Sequence, residues 1–367
     1  MLNLLQYHCI FKNTTIEGVT MKKFILLLLS LTMLLSFTAC GQSSETGNNS
    51  QGNIDTEVTD AAKYYPITVT DQAGREVTIE KEPKRLITAY YITTSLLMAL
   101  DLEDSIVGIE NDPEKRAIYG LSEPDLLKLP TVGTAKELDL EKVASLEPDL
   151  LILPMKLKNT VGTLETLGFD VLLVDPESQE RLVGMIELVG LAANKKEEAK
   201  QLQDFIKEQE TFLATALAGV KKPSVYLAGN SSMLKTAGNA MYQANMIQLA
   251  GGINVANEIK DTYWAEIDYE QLLTWNPDYI ILAAEATYTV EDVLKDPNLA
   301  DCTAVKNKNV YRLPNKAEAW DSPVPSSILG ALWLANILHE DNVSDAECAA
   351  RMDAYYEKFY GITYSKN

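Results

Sequence analysis

Leu138-Asp-Leu-Glu-Lys-Val-Ala-Ser-Leu-Glu-Pro-Asp-Leu-Leu-Ile-Leu153 returns 129 residues later as Ile267-Asp-Tyr-Glu-Gln-Leu-Leu-Thr-Trp-Asn-Pro-Asp-Tyr-Ile-Ile-Leu282. Asp139/Asp268, Glu141/Glu270, Pro148/Pro277, Asp149/Asp278, Ile152/Ile281 and Leu153/Leu282 are identical pairs. A repeat of that length, at a period too long for a solenoid, points to two similar lobes. Two lobes in turn invite a ligand cleft between them.

Each copy reads as a short helix, a proline stop and a buried strand. Asp139 and Asp268 are placed as N-caps, accepting backbone N–H bonds. Leu140, Val143, Ala144 and Leu146 form an apolar stripe, matched by Tyr269, Leu272, Leu273 and Trp275. Glu141 and Glu270 fall outside the stripe, in the first turn, where an acid complements the helix dipole.

Around the copies, short apolar runs alternate with helical stretches. Ile67–Asp71 and Glu76–Ile79 flank a turn and predict a hairpin. Arg85–Ala89, a helix from about Thr94 to Asp101, Ile106–Ile109, Asp149–Pro154, a helix over Thr160–Gly168 and Val171–Val174 follow. The pattern breaks at helices Gln179–Ala192 and Lys195 to about Leu217, the latter spanning roughly 35 Å. It resumes with Val225–Ala228, a helix Met241–Ala250, Tyr279–Ala283, Asn309–Leu313 and helices from about Ser326 and Ser344. The expected fold class is α/β: two Rossmann-like lobes with mainly parallel sheets, joined by one long α-helix. The lobes are placed at 64–177 and 223–361, with a connecting segment at 178–222 and a tail at 362–367. A single stiff helix should permit only small-amplitude opening.

The first 40 residues are read as targeting, not fold. Met21-Lys22-Lys23, an apolar run from Phe24 to Leu35 and Phe37-Thr38-Ala39-Cys40 form a signal peptide over 21–40. Small residues before a cysteine, then Gly41, resemble a bacterial lipobox, in which Cys40 receives acyl chains such as palmitate and becomes the mature N-terminus. Residues 1–20 precede a signal that already has its own Met21, so they are expected to be an untranslated or non-native extension. Residues 41–63 are polar and small, a flexible tether. The expected location is the outer face of the cell membrane, held by a lipid anchor.

The whole chain carries a net charge of −20. Three Lys/Arg and one Asp/Glu lie in residues 1–40, leaving 29 basic against 51 acidic residues and a net −22. Nucleic-acid binding is therefore not expected. Beyond Cys40 only Cys302 and Cys348 remain, among apolar neighbours, and read as small buried side chains; a disulfide scaffold is excluded. His339 is the single histidine of that part, too few for a bare zinc or manganese site. There is no Gly-x-Ser-x-Gly, His-Glu-x-x-His or phosphate-binding glycine loop, so no enzyme and no cofactor are expected.

Val69-Thr-Asp-Gln-Ala-Gly-Arg-Glu-Val77, Pro83-Lys-Arg-Leu-Ile87, both copies of the repeat, Leu249-Ala-Gly-Gly-Ile-Asn-Val-Ala256 and Ala304-Val-Lys-Asn-Lys-Asn-Val-Tyr311 occur in an order and spacing that covers residues 65–361. In these the chain resembles the substrate-binding lipoproteins of ABC importers for ferric siderophores, haem and corrinoids, the group with one long inter-lobe helix. The resemblance implies a monomer that docks on a permease dimer with its ATPase subunits. It also implies that Glu141 and Glu270, one exposed acid per lobe, engage the two permease subunits.

Ligands of open α/β sheets sit beyond the carboxyl ends of the strands. That rule selects the loops at 90–95, 154–156, 229–232, 284–288 and 314–321, to which Tyr263-Trp264 are added. The expected ligand residues are Tyr90, Tyr91, Thr93, Thr94, Lys156, Asn230, Tyr263, Trp264, Glu285, Arg312 and Trp320. Aromatic residues outside periodic stretches suit the walls of a planar or chelate ligand. Corrinoid-binding relatives carry Trp where this chain has Ala135 and Pro154, which weighs against a corrinoid. A haem iron would need Tyr90, Tyr91 or Tyr263. Arg312 and Lys156 are the nearest cations, without the arginine cluster of trianionic catecholate binders. A neutral or weakly charged iron chelate, a ferric siderophore, is the leading expectation. The alternatives are haem or a corrinoid, or a scavenging or sensing lipoprotein that never meets a permease.

Overall fold

Runs such as Leu150–Leu153 and Ile280–Leu282 are apolar at every position because both faces of their strands are covered. A computed structural model describes residues 64–260 and 264–366. Residues 1–20, the signal at 21–40, Cys40, the tether at 41–63 and Tyr263 lie outside the described residues.

The strands are β1 (Ile67–Thr70), β2 (Glu76–Ile79), β3 (Leu86–Thr88), β4 (Ile106–Gly108), β5 (Gly133–Thr134), β6 (Glu137–Leu138), β7 (Leu150–Pro154) and β8 (Asp170–Val174), then β9 (Ser224–Ala228), β10 (Lys235–Ala237), β11 (Ile253–Asn254), β12 (Trp264–Glu266), β13 (Tyr279–Leu282) and β14 (Val310–Arg312). The helices are α1 (Tyr91–Ala99), α2 (Ala117–Ser122), α3 (Leu140–Ser145), α4 (Val161–Thr166), α5 (Gln179–Ala192) and α6 (Lys196–Ala216), then α7 (Tyr242–Leu249), α8 (Tyr269–Trp275), α9 (Val290–Leu294), α10 (Thr303–Lys306), α11 (Ile328–Leu338) and α12 (Asp345–Phe359).

The N-terminal sheet runs β4-β3-β7-β8, all parallel. The C-terminal sheet runs β12-β10-β9-β13-β14: β9, β13 and β14 are parallel, β10 and β12 antiparallel, and short β11 pairs with β9. The antiparallel edge was not expected from sequence, because Lys235–Ala237 is too short and too polar to stand out. The 21-residue α6 spans about 32 Å. Its buried stripe is Ala199, Leu202, Ile206, Gln209 and Leu213; Phe205 and Phe212 only flank it.

Strand side chains alternate between cores with period two. Ile87, Leu151 and Leu153 point with Val143 of α3 into an outer core, and Tyr226, Ile280 and Leu282 do the same with Leu272 of α8 in the other lobe. The opposite faces, Leu86 and Leu150 in one sheet and Val225 and Ile281 in the other, belong to one continuous core. That core also takes in Leu202 and Ile206 of α6, the whole inner side of α11, and Tyr355 and Tyr356 of α12. The lobes are thus tied twice, by the expected helix and by a shared interior.

A buried carboxylate marks the second tie. Glu318 accepts from Ser95 of α1, from Ser326 at 2.6 Å and from Tyr356 at 3.2 Å. Tyr360 meets Ser95 at 2.9 Å, and Ser122 of α2 donates to the Tyr360 carbonyl at 2.6 Å. Burial pushes the Glu318 carboxyl up, against the pull of these three hydroxyls. Cys302 and Cys348 are buried and unbridged. His339 closes α11 beside the Gly251 carbonyl at 3.2 Å.

Candidate functional site

The two repeat copies build the same corner. Asp139 Oδ1 accepts from the Lys142 amide at 2.9 Å and Asp268 Oδ1 from the Gln271 amide at 2.8 Å, so both are N-caps. Both helices end in a left-handed residue directly before proline, Glu147 at φ 46° and Asn276 at φ 43°. Asp149 Oδ2 then accepts from the Lys84 and Arg85 amides at 2.9 and 3.1 Å, anchoring the start of β3. Asp278 Oδ2 accepts from the Ser224 amide and hydroxyl, both at 2.8 Å, anchoring the start of β9. Glu141 and Glu270 are exposed in the first turns of α3 and α8. Neither carboxylate has a hydrogen-bond or ion-pair partner among the described residues.

At the other ends of the strands lie two cavities. One sits wholly in the N-terminal lobe at the ends of β7 and β8. Its walls include Tyr90, Ala135, Pro154, Met155, Lys156 and Glu177. Tyr90 and Lys156 were expected there. Ala135 and Pro154 also line this space. Burial raises the Glu177 carboxyl and Asp175 adds to the rise, while Lys156 and Arg181 counter it.

The second, smaller cavity lies between the lobes. Tyr91, Ser95, Lys115, Arg116 and Tyr119 line it from one side, and Glu285, Asn315, Ala317 and Glu318 from the other. Arg116 Nη1 reaches Glu285 Oε1 at 2.8 Å across it, and the guanidinium lies 3.9 Å over the Tyr91 ring. Burial raises the Tyr91 phenol; a hydrogen bond with Ser322 and the Arg116 charge offset only part of that.

The remaining expected residues are used differently. Trp320 is fully buried and donates Nε1–H to the Tyr356 hydroxyl at 3.0 Å, so it is a core side chain and no cleft wall. Thr93 and Thr94 are also fully buried, because α1 begins at Tyr91, three residues earlier than the sequence suggested. Thr94 Oγ1 donates to the buried Glu110 at 2.7 Å, which Tyr119 also meets at 2.6 Å. Arg312 spends its guanidinium on the carbonyls of Ala286, at 2.6 Å, and Tyr288. The Asn230 carbonyl accepts from the Thr287 amide at 2.9 Å, and Tyr288 donates to the Gly229 carbonyl at 2.7 Å. Trp264 is half-buried over Gly229, where an added Cβ would come within 3.0 Å of its ring.

Arg116 and Glu177 were missed, yet the strand-end rule finds them. They follow β4 and β8, and the rule had been applied only to the ends of β3, β7, β9, β13 and β14.

Comparison with known proteins accords with this architecture. The family model described as "Periplasmic binding protein" matches residues 86–317. The molybdate-binding protein MolA of Haemophilus influenzae is 26% identical over 323 residues, covering 81% of this chain and 91% of the relative. The petrobactin-binding protein YclQ of Bacillus subtilis is 26% identical over 309 residues, 80% of this chain and 91% of that one. A solved periplasmic solute binding protein from Veillonella parvula superposes with a TM-score of 0.70 at 27% identity, covering 81% of this chain and 93% of its own.

Proposed function

This chain belongs to the periplasmic binding protein family, and on that premise we propose that it captures a ferric siderophore outside the cell membrane and delivers it to an ABC importer. In this reading the partners are a permease dimer and its cytoplasmic ATPase subunits. Acylated Cys40 and the 41–63 tether hold a monomeric body at the membrane surface. The lobes are 64–177 and 223–361, and 178–222 connects them.

The observation that carries the delivery step is the pair Glu141 and Glu270. Both are exposed acids in the first turn of equivalent capped helices, one in each lobe. A helix dipole explains an acid in either place for a few tenths of a kcal/mol. It does not explain two acids in equivalent positions with no partner in their own lobes. A two-fold permease needs equivalent anions on both halves of its ligand carrier.

The lining supports the cargo class. The N-terminal cavity combines apolar walls, Tyr90, Ala135, Pro154, Met155 and Val174, with one cation, Lys156, and two acids, Asp175 and Glu177. With Arg312 committed to backbone carbonyls, the described cleft lacks a cation cluster for a trianion. A weakly charged chelate fits better than a trianion.

Two measurements test the proposal. Intrinsic Trp fluorescence should be quenched by at least one of a ferric trihydroxamate, a ferric catecholate, haemin or cobalamin at micromolar concentration; silence toward all four removes the large-chelate reading. Charge reversal of Glu141 and Glu270 should abolish uptake while leaving ligand affinity intact. Unimpaired uptake would instead leave a scavenging or sensing lipoprotein.

A further inference from the structure

The ion pair across the inter-lobe cavity is held from behind on both sides. On the N-terminal side the Arg116 guanidinium lies 3.9 Å from the centroid of the half-buried Tyr91 ring. On the C-terminal side Glu285 projects from a loop that Arg312 fastens through the Ala286 and Tyr288 carbonyls, with Thr287 and Tyr288 tied to Asn230 and Gly229. A guanidinium only 26% exposed needs a counter-anion, and Glu285 supplies it at 2.8 Å from the opposite lobe. Of the other cations near the strand ends, Arg312 is engaged on carbonyls, Lys115 on Asp112 at 2.6 Å and Arg181 on Asp175 at 2.6 Å, each within its own lobe, while Lys156 lines the separate N-terminal cavity. Arg116 is therefore the cationic group of this cavity whose partner lies across the cleft. Any ligand that parts the lobes there must break that pair and leave the guanidinium seeking another anion.

We propose that Glu285 is a resident counter-anion, which a single acidic group on the ligand displaces from Arg116. The cleft then selects a chelate that carries one free carboxylate or equivalent oxyanion. It disfavours a neutral chelate, which leaves Arg116 unpaired, and a trianion, which finds only Arg116 and the Asp112-paired Lys115 beside Glu285 and Glu318. The inference rests on the reading of the chain as a chelate carrier and names the charge of its cargo.

The test is a matched pair of probes with one ferric core: ferrioxamine B capped on its amine with acetyl, which is neutral, or with succinyl, which adds one carboxylate. Calorimetry on the full-length chain should show the succinyl form binding at least tenfold more tightly. Arg116→Gln should erase that preference by weakening only the succinyl form, Arg116→Lys should restore part of it, and Glu285→Gln should tighten the succinyl form several-fold. Thermal melting checks that each variant folds. Equal affinity of the two probes, equal losses for both in Arg116→Gln, or binding of neither would overturn the proposal. Binding of the acetyl form alone would overturn it and leave the carrier function standing. Only failure of every ferric, haem and corrinoid probe would remove that function as well.

Discussion

In the N-terminal lobe Asp149 fastens the start of β3 through two backbone amides and pairs with Lys81 at 3.0 Å. In the C-terminal lobe Asp278 fastens the start of β9 through one amide and one hydroxyl of the same residue, Ser224. The corners do the same job, and the acids above them stand in equivalent places. The opposite ends of the strands have diverged. The N-terminal lobe leaves an open cavity around Ala135, Pro154 and Lys156. The C-terminal lobe stitches its strand ends together with Arg312, Tyr288, Thr287 and Asp321, whose Oδ2 lies 3.4 Å from the Ala284 amide. On the proposed reading, the halves stay alike where they would face one symmetric partner. Where they would face an asymmetric ligand, one offers room and the other a braced wall.

The likeness is tested first. Glu141→Arg with Glu270→Arg should lower uptake by a factor on the order of 100 at unchanged ligand affinity, since each buried-rim charge pair is worth about 1.5 kcal/mol or more. The single variants should lose similar amounts; a large imbalance would break the equivalence of the two acids. Asp149→Ala and Asp278→Ala should each cost about 2–3 kcal/mol in denaturant unfolding, because amides that were paired with a carboxylate lose it. Burial resists the charge on Asp149, but the Lys84 and Arg85 amides and Lys81 outweigh it and hold the carboxyl low. Its contribution is accordingly present at neutral pH and lost as pH falls through that lowered pKa.

The divergence is tested next. Asp321 is buried in the braced wall, and burial pushes its carboxyl up to about 6. The unfolded chain returns it to about 3.9. Between those values the native state holds more protons, so this group lowers stability as pH rises from about 4 to about 6, the reverse of Asp149. Asp321→Asn should remove that slope, about 2–3 kcal/mol in melts across the window. Finally, Ala135→Trp should fill the open cavity and weaken chelate binding about tenfold, or about 1.4 kcal/mol, with little change in melting temperature. An unchanged affinity would place the ligand away from the N-terminal cavity.

The legible parts of this protein are the local ones. Asp139 and Asp268 could be read as caps because the bond they make reaches only three residues ahead. Gln179–Ala192 was read to the residue, since a 3.6-residue period and a serine cap mark it. The parallel strands announced themselves as unbroken apolar runs, and the antiparallel strand Lys235–Ala237 did not. The candidate site was legible only as a set of loops. Tyr90, Tyr91, Lys156 and Glu285 do line cavities, whereas Trp320, Thr93 and Thr94 are interior and Arg312 is a brace.

By itself, then, the repeated phrase determined two lobes, their capped helices and the equivalent acids in the first turns, because each depends on contacts within one helix or on its local pattern. Which arginine faces the cleft was decided only in three dimensions. Arg116 meets Glu285 from 169 positions away, and Arg312 is withdrawn by carbonyls that its own strand end brings within reach. Nothing in the local pattern of either arginine distinguishes them. The docking of one lobe on the other, through the shared core and the Ser95–Glu318–Tyr360 cluster, gives one guanidinium a partner across the cleft and leaves the other a structural tie.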